Sequence, residues 1–148
     1  MRVEKDFKEF IGLLNKNKVH YLIIGGFAFS FHAEPRFTKD IDIFIEMSSE
    51  NAKKMIKTLE DFGFKNTKLK TTDFLVADQI IQLGNSPLRI DIVTSIDGID
   101  FSSAWGNRIT GKYGDITANY ISKPDLIKNK KASGRAQDIA DIEKLQKI

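Results

Sequence analysis

Asp40-Ile-Asp-Ile-Phe44 is the stretch on which the reading of this chain turns. In a strand, side chains at i and i+2 share a face, so Asp40, Asp42 and Phe44 point one way and Ile41 and Ile43 the other. Carboxylates among isoleucines are costly to bury unless they are paired or hold a cation. A merely amphipathic strand more often carries Lys, Thr or Glu at such positions. Upstream, His20-Tyr-Leu-Ile-Ile-Gly-Gly26 reads as a short apolar strand ending in a Gly-Gly turn that opens a helix. Downstream, Leu88-Arg-Ile-Asp-Ile-Val93 sets a third aspartate, Asp91, between isoleucines.

Three carboxylates converging on one spot make an oxygen-donor set for a hard cation, Mg²⁺ above all, with Mn²⁺ as its substitute. Phosphoryl or nucleotidyl transfer at a two-metal site needs such a set. Gly25 and Gly26 let backbone N–H groups approach a phosphate, and the helix N-terminus behind them adds a favourable dipole. The plain alternative for this pair is a strand-to-helix turn that needs positive φ. Arg36, Thr38 and Lys39 lie in the loop entering the Asp40 strand, where a cation can neutralise triphosphate charge. Lys128, Lys130, Lys131 and Arg135 form the densest basic cluster. The plain alternatives here are lysines complementing a helix C-terminus and an Arg135–Asp138 surface pair at i, i+3. Asp97 and Asp100 read as surface loop residues, His32 as a satisfied helix histidine, and Trp105 and the phenylalanines as core.

The ordered set resembles the DNA polymerase β-like nucleotidyltransferase superfamily. It is most similar to the small bacterial branch of minimal nucleotidyltransferases and AbiEii-type nucleotidyltransferase toxins. The residues that carry the resemblance are Gly25-Gly26, Pro35-Arg-Phe-Thr-Lys-Asp-Ile-Asp42, Asp91 within Arg-Ile-Asp-Ile-Val, and the segment Leu126 to Asp138. The resemblance implies an α/β (α+β) nucleotidyltransferase fold, a mixed β-sheet flanked by helices. It implies that Asp40 and Asp42 bridge two Mg²⁺ ions, and that Asp91 holds the catalytic one and helps activate an acceptor hydroxyl. Gly25 and Gly26 would cradle the triphosphate, with Arg36 and Thr38 beside it. A basic and an acidic residue from the C-terminal helical region would reach the site, and Lys130, Arg135 and Asp138 are the matching positions. The implied partners are an NTP and an acceptor that is an RNA end, a protein hydroxyl or a small molecule. Many members carry Gly-Ser where this chain has Gly-Gly, so one hydroxyl contact to phosphate is missing. Acceptor recognition falls to the core surface, a partner protein or a homodimer, because no separate acceptor domain follows the last helices.

With 148 residues, 41% of them hydrophobic and 11 of them Phe, the chain suffices for one domain over 1–148 with a real core. Its net charge of +3 and pI near 9.0 are compatible with a polyphosphate substrate without demanding one. The absence of cysteine excludes disulfides and thiolate metal sites and makes the cytoplasm the simplest home. Only two histidines argue against a His-rich zinc site. No apolar run reaches about 18 residues, so no membrane span is expected.

Helical spacing of Phe7, Phe10, Ile11 and Leu14 predicts an amphipathic helix over 4–17. Further helices are expected over 27–33, 49–62 and 101–108, over a segment opened by Ser122-Lys-Pro-Asp125 and stopped at Gly134, and from Arg135 to the end. Strands are expected over 20–24, 40–46, 64–69, 79–83, 88–94 and 116–120, with a turn over 84–87. Two other function classes compete with the transferase. One is a non-catalytic nucleotide- or partner-binding module of a toxin–antitoxin-like system. The other is a nucleic-acid-binding protein that uses the basic C-terminal cluster.

Overall fold

The computed structural model describes residues 3–64, 68–84 and 88–147. Strand β1 (Tyr21–Ile24) is buried along its whole length, with a strand on each side and its side chains packed into cores on both faces of the sheet. Strand β2 (Asp40–Ile45) pairs with it antiparallel, and β6 (Ile116–Tyr120) parallel. Beyond β2 lies β4 (Arg89–Val93), parallel to it, and then β3 (Ile80–Leu83), antiparallel to β4. Beyond β6 lies β5 (Ile109–Tyr113), antiparallel. The result is a mixed six-stranded sheet in the order β3-β4-β2-β1-β6-β5.

Alternation along these strands feeds two cores. Tyr21, Ile23, Ile41, Ile43, Ile45, Ile90 and Ile92 face the buried sides of α1 (Lys5–Lys16) and α3 (Ser49–Asp61). Leu22, Ile24, Phe44 and Val93 face the other layer. That layer holds α2 (Gly25–His32), α4 (Phe101–Gly106), α5 (Lys123–Ser133) and α6 (Ala136–Gln146). Its apolar contributors are Phe29, Ala104, Leu126 and Leu145. The carboxylates of β2 and β4 share this second face with Phe44 and Val93.

Local signals set most boundaries. Ser48 caps α3 by accepting from the Asn51 N–H, and Ser122 caps α5 by accepting from the Asp125 N–H. Gly134 ends α5 in the left-handed region, at φ 65°. His32 Nε2–H donates to the Ile121 carbonyl at 2.7 Å, which satisfies it inside the fold.

The structure departs from expectation in two places. β5 was not expected: three of its five residues are exposed and Gly111 breaks its pattern. That glycine is there for packing, since a Cβ would run into the Phe31 ring, which stacks on Tyr120 at 4.0 Å. The strand expected over 64–69 is not formed at Phe64, Lys68 or Leu69, and 65–67 lie outside the described residues. The expected turn over 84–87 falls mostly on 85–87, also outside them. A 3-10 turn, Thr71–Phe74, seats Phe74 in the first core. No described helix is long and apolar enough to cross a membrane.

Candidate active site

Strand register assembles the site. Across the parallel β2–β4 pair, Asp42 stands opposite Asp91 and Asp40 opposite Arg89. Paired residues in register share a face, so all four side chains project from the same side of the sheet. Arg89 bridges two of the carboxylates. Its Nε donates to Asp91 Oδ1 at 2.8 Å, and its Nη2 donates to Asp91 Oδ2 at 3.1 Å and to Asp40 Oδ2 at 3.0 Å.

Asp42 takes no hydrogen bond or ion pair from any described residue. Burial, then the negative charges of Asp91 and Asp40, push its carboxyl up to about 6, with Arg89 and Arg135 opposing. Opposite Asp42 on the other side, β1 ends at Ile24 and the chain turns straight into α2. Gly25 makes that turn at φ 64°, and a Cβ there would collide with Asp42 Oδ2. The plain reading of this glycine, a turn that needs positive φ, holds, and its missing Cβ leaves room beside the Asp42 carboxylate. A Cβ on Gly26 would lie 3.3 Å from Thr38, whose hydroxyl donates to the Asp40 carbonyl at 3.1 Å. No side chain caps the N-terminus of α2, which leaves the N–H end of the helix available to an anion.

A second charged group ties α5, α6 and the 34–39 loop together. Asp141 is fully buried and accepts from Lys130 Nζ at 2.9 Å, from Gln137 Nε2 at 2.9 Å and from both terminal nitrogens of Arg36. Burial alone would raise the Asp141 carboxyl, but these donors outweigh it and hold it well below the usual range. Asp138 is likewise buried and held low against its desolvation, chiefly by Arg135, whose Nε donates to it at 2.9 Å. The Arg36 guanidinium lies 3.8 Å over the Phe29 ring.

A cleft of about 480 Å³ opens between these groups, and Gly25, Asp42, Lys130 and Arg135 all line it. Asp97 lines it too, although its sequence context suggested only a surface loop. Its carboxylate accepts from the Ser133 hydroxyl at 3.1 Å, and its carbonyl from Asn129 at 2.9 Å. Asp100 does cap α4, accepting from the Ser103 N–H at 3.1 Å.

Of the expected site residues, Gly25, Asp42, Lys130 and Arg135 line this cleft. Asp40 and Asp91 share the sheet face of Asp42 without lining it, Gly26 lies against Thr38, and Asp138 is buried behind Arg135. Arg36 is turned to Asp141. Lys130 points inward, 8% exposed, which breaks the basic cluster as a continuous surface. Arg89 and Asp141 escaped the sequence reading. Period-2 alternation already placed Arg89 on the face of Asp91, and helical spacing from Asp138 placed Asp141 beside it.

Among the described residues, no three acidic or histidine side chains stand close enough together to hold a metal ion. The donor chemistry fits a hard divalent cation all the same. Asp40, Asp42 and Asp91 are oxygen donors on one face of two paired strands, and no described residue hydrogen-bonds to the Asp42 carboxylate.

No curated protein matches the chain. Among solved structures, it is similar to a lincosamide antibiotic adenylyltransferase, LnuA, in a lincomycin-bound crystal structure. The identity is 22%, the match covers 97% of this chain and 96% of that one, and the TM-score is 0.60, a likeness of fold. The expected nucleotidyltransferase resemblance and the mixed-sheet α/β fold are both borne out. A family model described as "Nucleotidyltransferase of unknown function (DUF6036)" matches residues 1–147, and the chain belongs to that nucleotidyltransferase family.

Proposed function

We propose that this protein moves a nucleoside monophosphate from an NTP to the hydroxyl of a small-molecule acceptor, releasing pyrophosphate. The observation that carries this reading is the register of Asp42 against Asp91 beside the bare Gly25, at the uncapped start of α2. Asp40, Asp42 and Asp91 are the residues that would hold Mg²⁺. Bound there, the metal would supply charge neutralisation for the triphosphate and a lowered pKa for the acceptor hydroxyl.

The chain's own groups do the remaining work. Backbone N–H groups at Gly25 and Gly26 bind phosphate oxygens, with the α2 dipole behind them. Arg135, whose side chain is 76% exposed at the cleft, reaches the same phosphates, and Asp138 orients it. Lys130 adds positive charge from the cleft wall. Asp91 orients the acceptor hydroxyl and receives its proton as the oxygen bonds to the α-phosphorus and the bond to the pyrophosphate oxygen breaks.

Two considerations favour a small acceptor. The cleft, about 480 Å³, lies in the usual range for small-molecule sites. The similar structure, which matches over nearly its full length, is named as acting on an antibiotic. The test is a transfer assay with each α-labelled NTP and Mg²⁺, offered hydroxylated small molecules, tRNA and protein in separate reactions. Label appearing on small molecules supports the proposal. Label on RNA or protein alone overturns the acceptor class, and wild-type labelling no greater than that of Asp42→Asn overturns the transfer itself.

A further inference from the structure

Arg89 has no task in the transfer chemistry above, yet its guanidinium bridges two of the three carboxylates. Its fork covers both oxygens of Asp91 and one of Asp40, at 2.8–3.1 Å. Asp42 alone is left out. We propose that Arg89 is an internal counter-ion for Asp40 and Asp91 that competes with a divalent cation for them and withdraws when the cation binds. This rests on the reading of the three aspartates as metal ligands.

The physical argument has three parts. Three carboxylates on adjacent in-register positions repel one another, and a single guanidinium is the nearest group that can offset them. Planar bidentate pairing engages the lone pairs that a hard cation would use, so the same oxygens cannot serve both fully. The side chain of Arg89 is also 34% exposed, with a route to solvent. Its position two residues from Asp91 on the same strand lets the contact re-form when the cation leaves. Asp42, which carries no such contact, is the ligand at which an arriving cation binds first.

Competition of this kind lowers apparent metal affinity by the fraction of molecules in which the fork is open. Calorimetric titration with Mg²⁺ alone, and with Mn²⁺ alone, would compare wild type, Arg89→Gln, Arg89→Lys and Asp42→Asn. Arg89→Gln is expected to bind the ion about tenfold more tightly, as for the loss of a competing charge-assisted contact. Its metal-free melting temperature should fall, because the carboxylates lose their counter-ion. Arg89→Lys keeps the charge without the fork and should bind at an affinity between the two. In wild type, the Arg89 Nε–H resonance should be protected from exchange without metal and lose that protection at the titration midpoint.

An Nε–H that stays protected at saturating Mg²⁺, or affinity in Arg89→Gln no tighter than wild type, overturns the proposal. If wild type still binds the ion and Asp42→Asn does not, the metal site itself survives that result. No ion binding by any of the four proteins overturns the metal reading and the counter-ion role together.

Discussion

At the scale of single residues, Asp42 makes two demands that oppose each other. Its carboxyl is raised from 3.8 to about 6, so the folded chain binds that proton more tightly than the unfolded chain does. Its contribution to stability is therefore fully present below about pH 4 and is lost as pH rises through about 6. The loss is on the order of 3 kcal/mol in metal-free protein. Asp42→Asn removes this penalty. In EDTA at pH 8 the variant should melt several degrees above wild type, while nucleotidyl transfer falls by several orders of magnitude. Melting curves at pH 5 and 8, set beside turnover, check both halves. Equal stability at both pH values would mean that Asp42 is solvated rather than desolvated and repelled. Gly25→Ala should fail differently. It forces a Cβ into the left-handed region at φ 64° and against Asp42, costing about 1–3 kcal/mol, and denaturant midpoints would show it.

At the scale of elements, α5 and α6 are held on the cleft by buried charge. Asp141 ties Arg36, Lys130 and Gln137 to α6 from a fully buried position. Asp141→Asn leaves two buried or half-buried cations short of their partner and should cost about 3–5 kcal/mol by chemical denaturation. Replacing exposed Lys128 or Lys131 by alanine should stay within about 0.5 kcal/mol. Asp138 and Asp141 are both held below the usual carboxylate range. Their stabilisation is present above the unfolded carboxylate pKa and is lost as pH falls, the reverse of Asp42. Melting below pH 4 should therefore be dominated by separation of α6 from α5, visible as early loss of helix signal in circular dichroism. The element pattern was legible where capping and periodicity were local: Ser48, Ser122 and Gly134 mark their helix ends plainly. β5 was not, because an exposed edge strand with Gly111 at its middle carries neither a continuous apolar run nor a clean alternation.

At the scale of the whole molecule, the sheet and its second helical layer form a cleft lined by Asp42, by Gly25 at the start of α2, and by Lys130 and Arg135. An NTP with Mg²⁺ at about 100 times its Kd should add about 2.7 kcal/mol. For a domain of this size that is about 5–11 °C in a thermal-shift assay, and the shift should vanish in EDTA and in Asp42→Asn. Binding to duplex DNA should be weak, with a shallow salt dependence, since Lys130 is withdrawn from the basic cluster. A steep slope would revive the nucleic-acid-binding alternative.

The sequence alone determined that three aspartates and a Gly-Gly turn lie on strand-like segments of an α/β chain. Period-2 alternation and glycine's freedom at positive φ are local properties, readable within a few residues. Only the tertiary structure decided which charges meet. Arg89 reaches Asp40 across 49 positions, and Arg36 reaches Asp141 across 105. Those encounters are set by the β2–β4 register and by the packing of α5 and α6 against α2, and no window of local sequence encodes either.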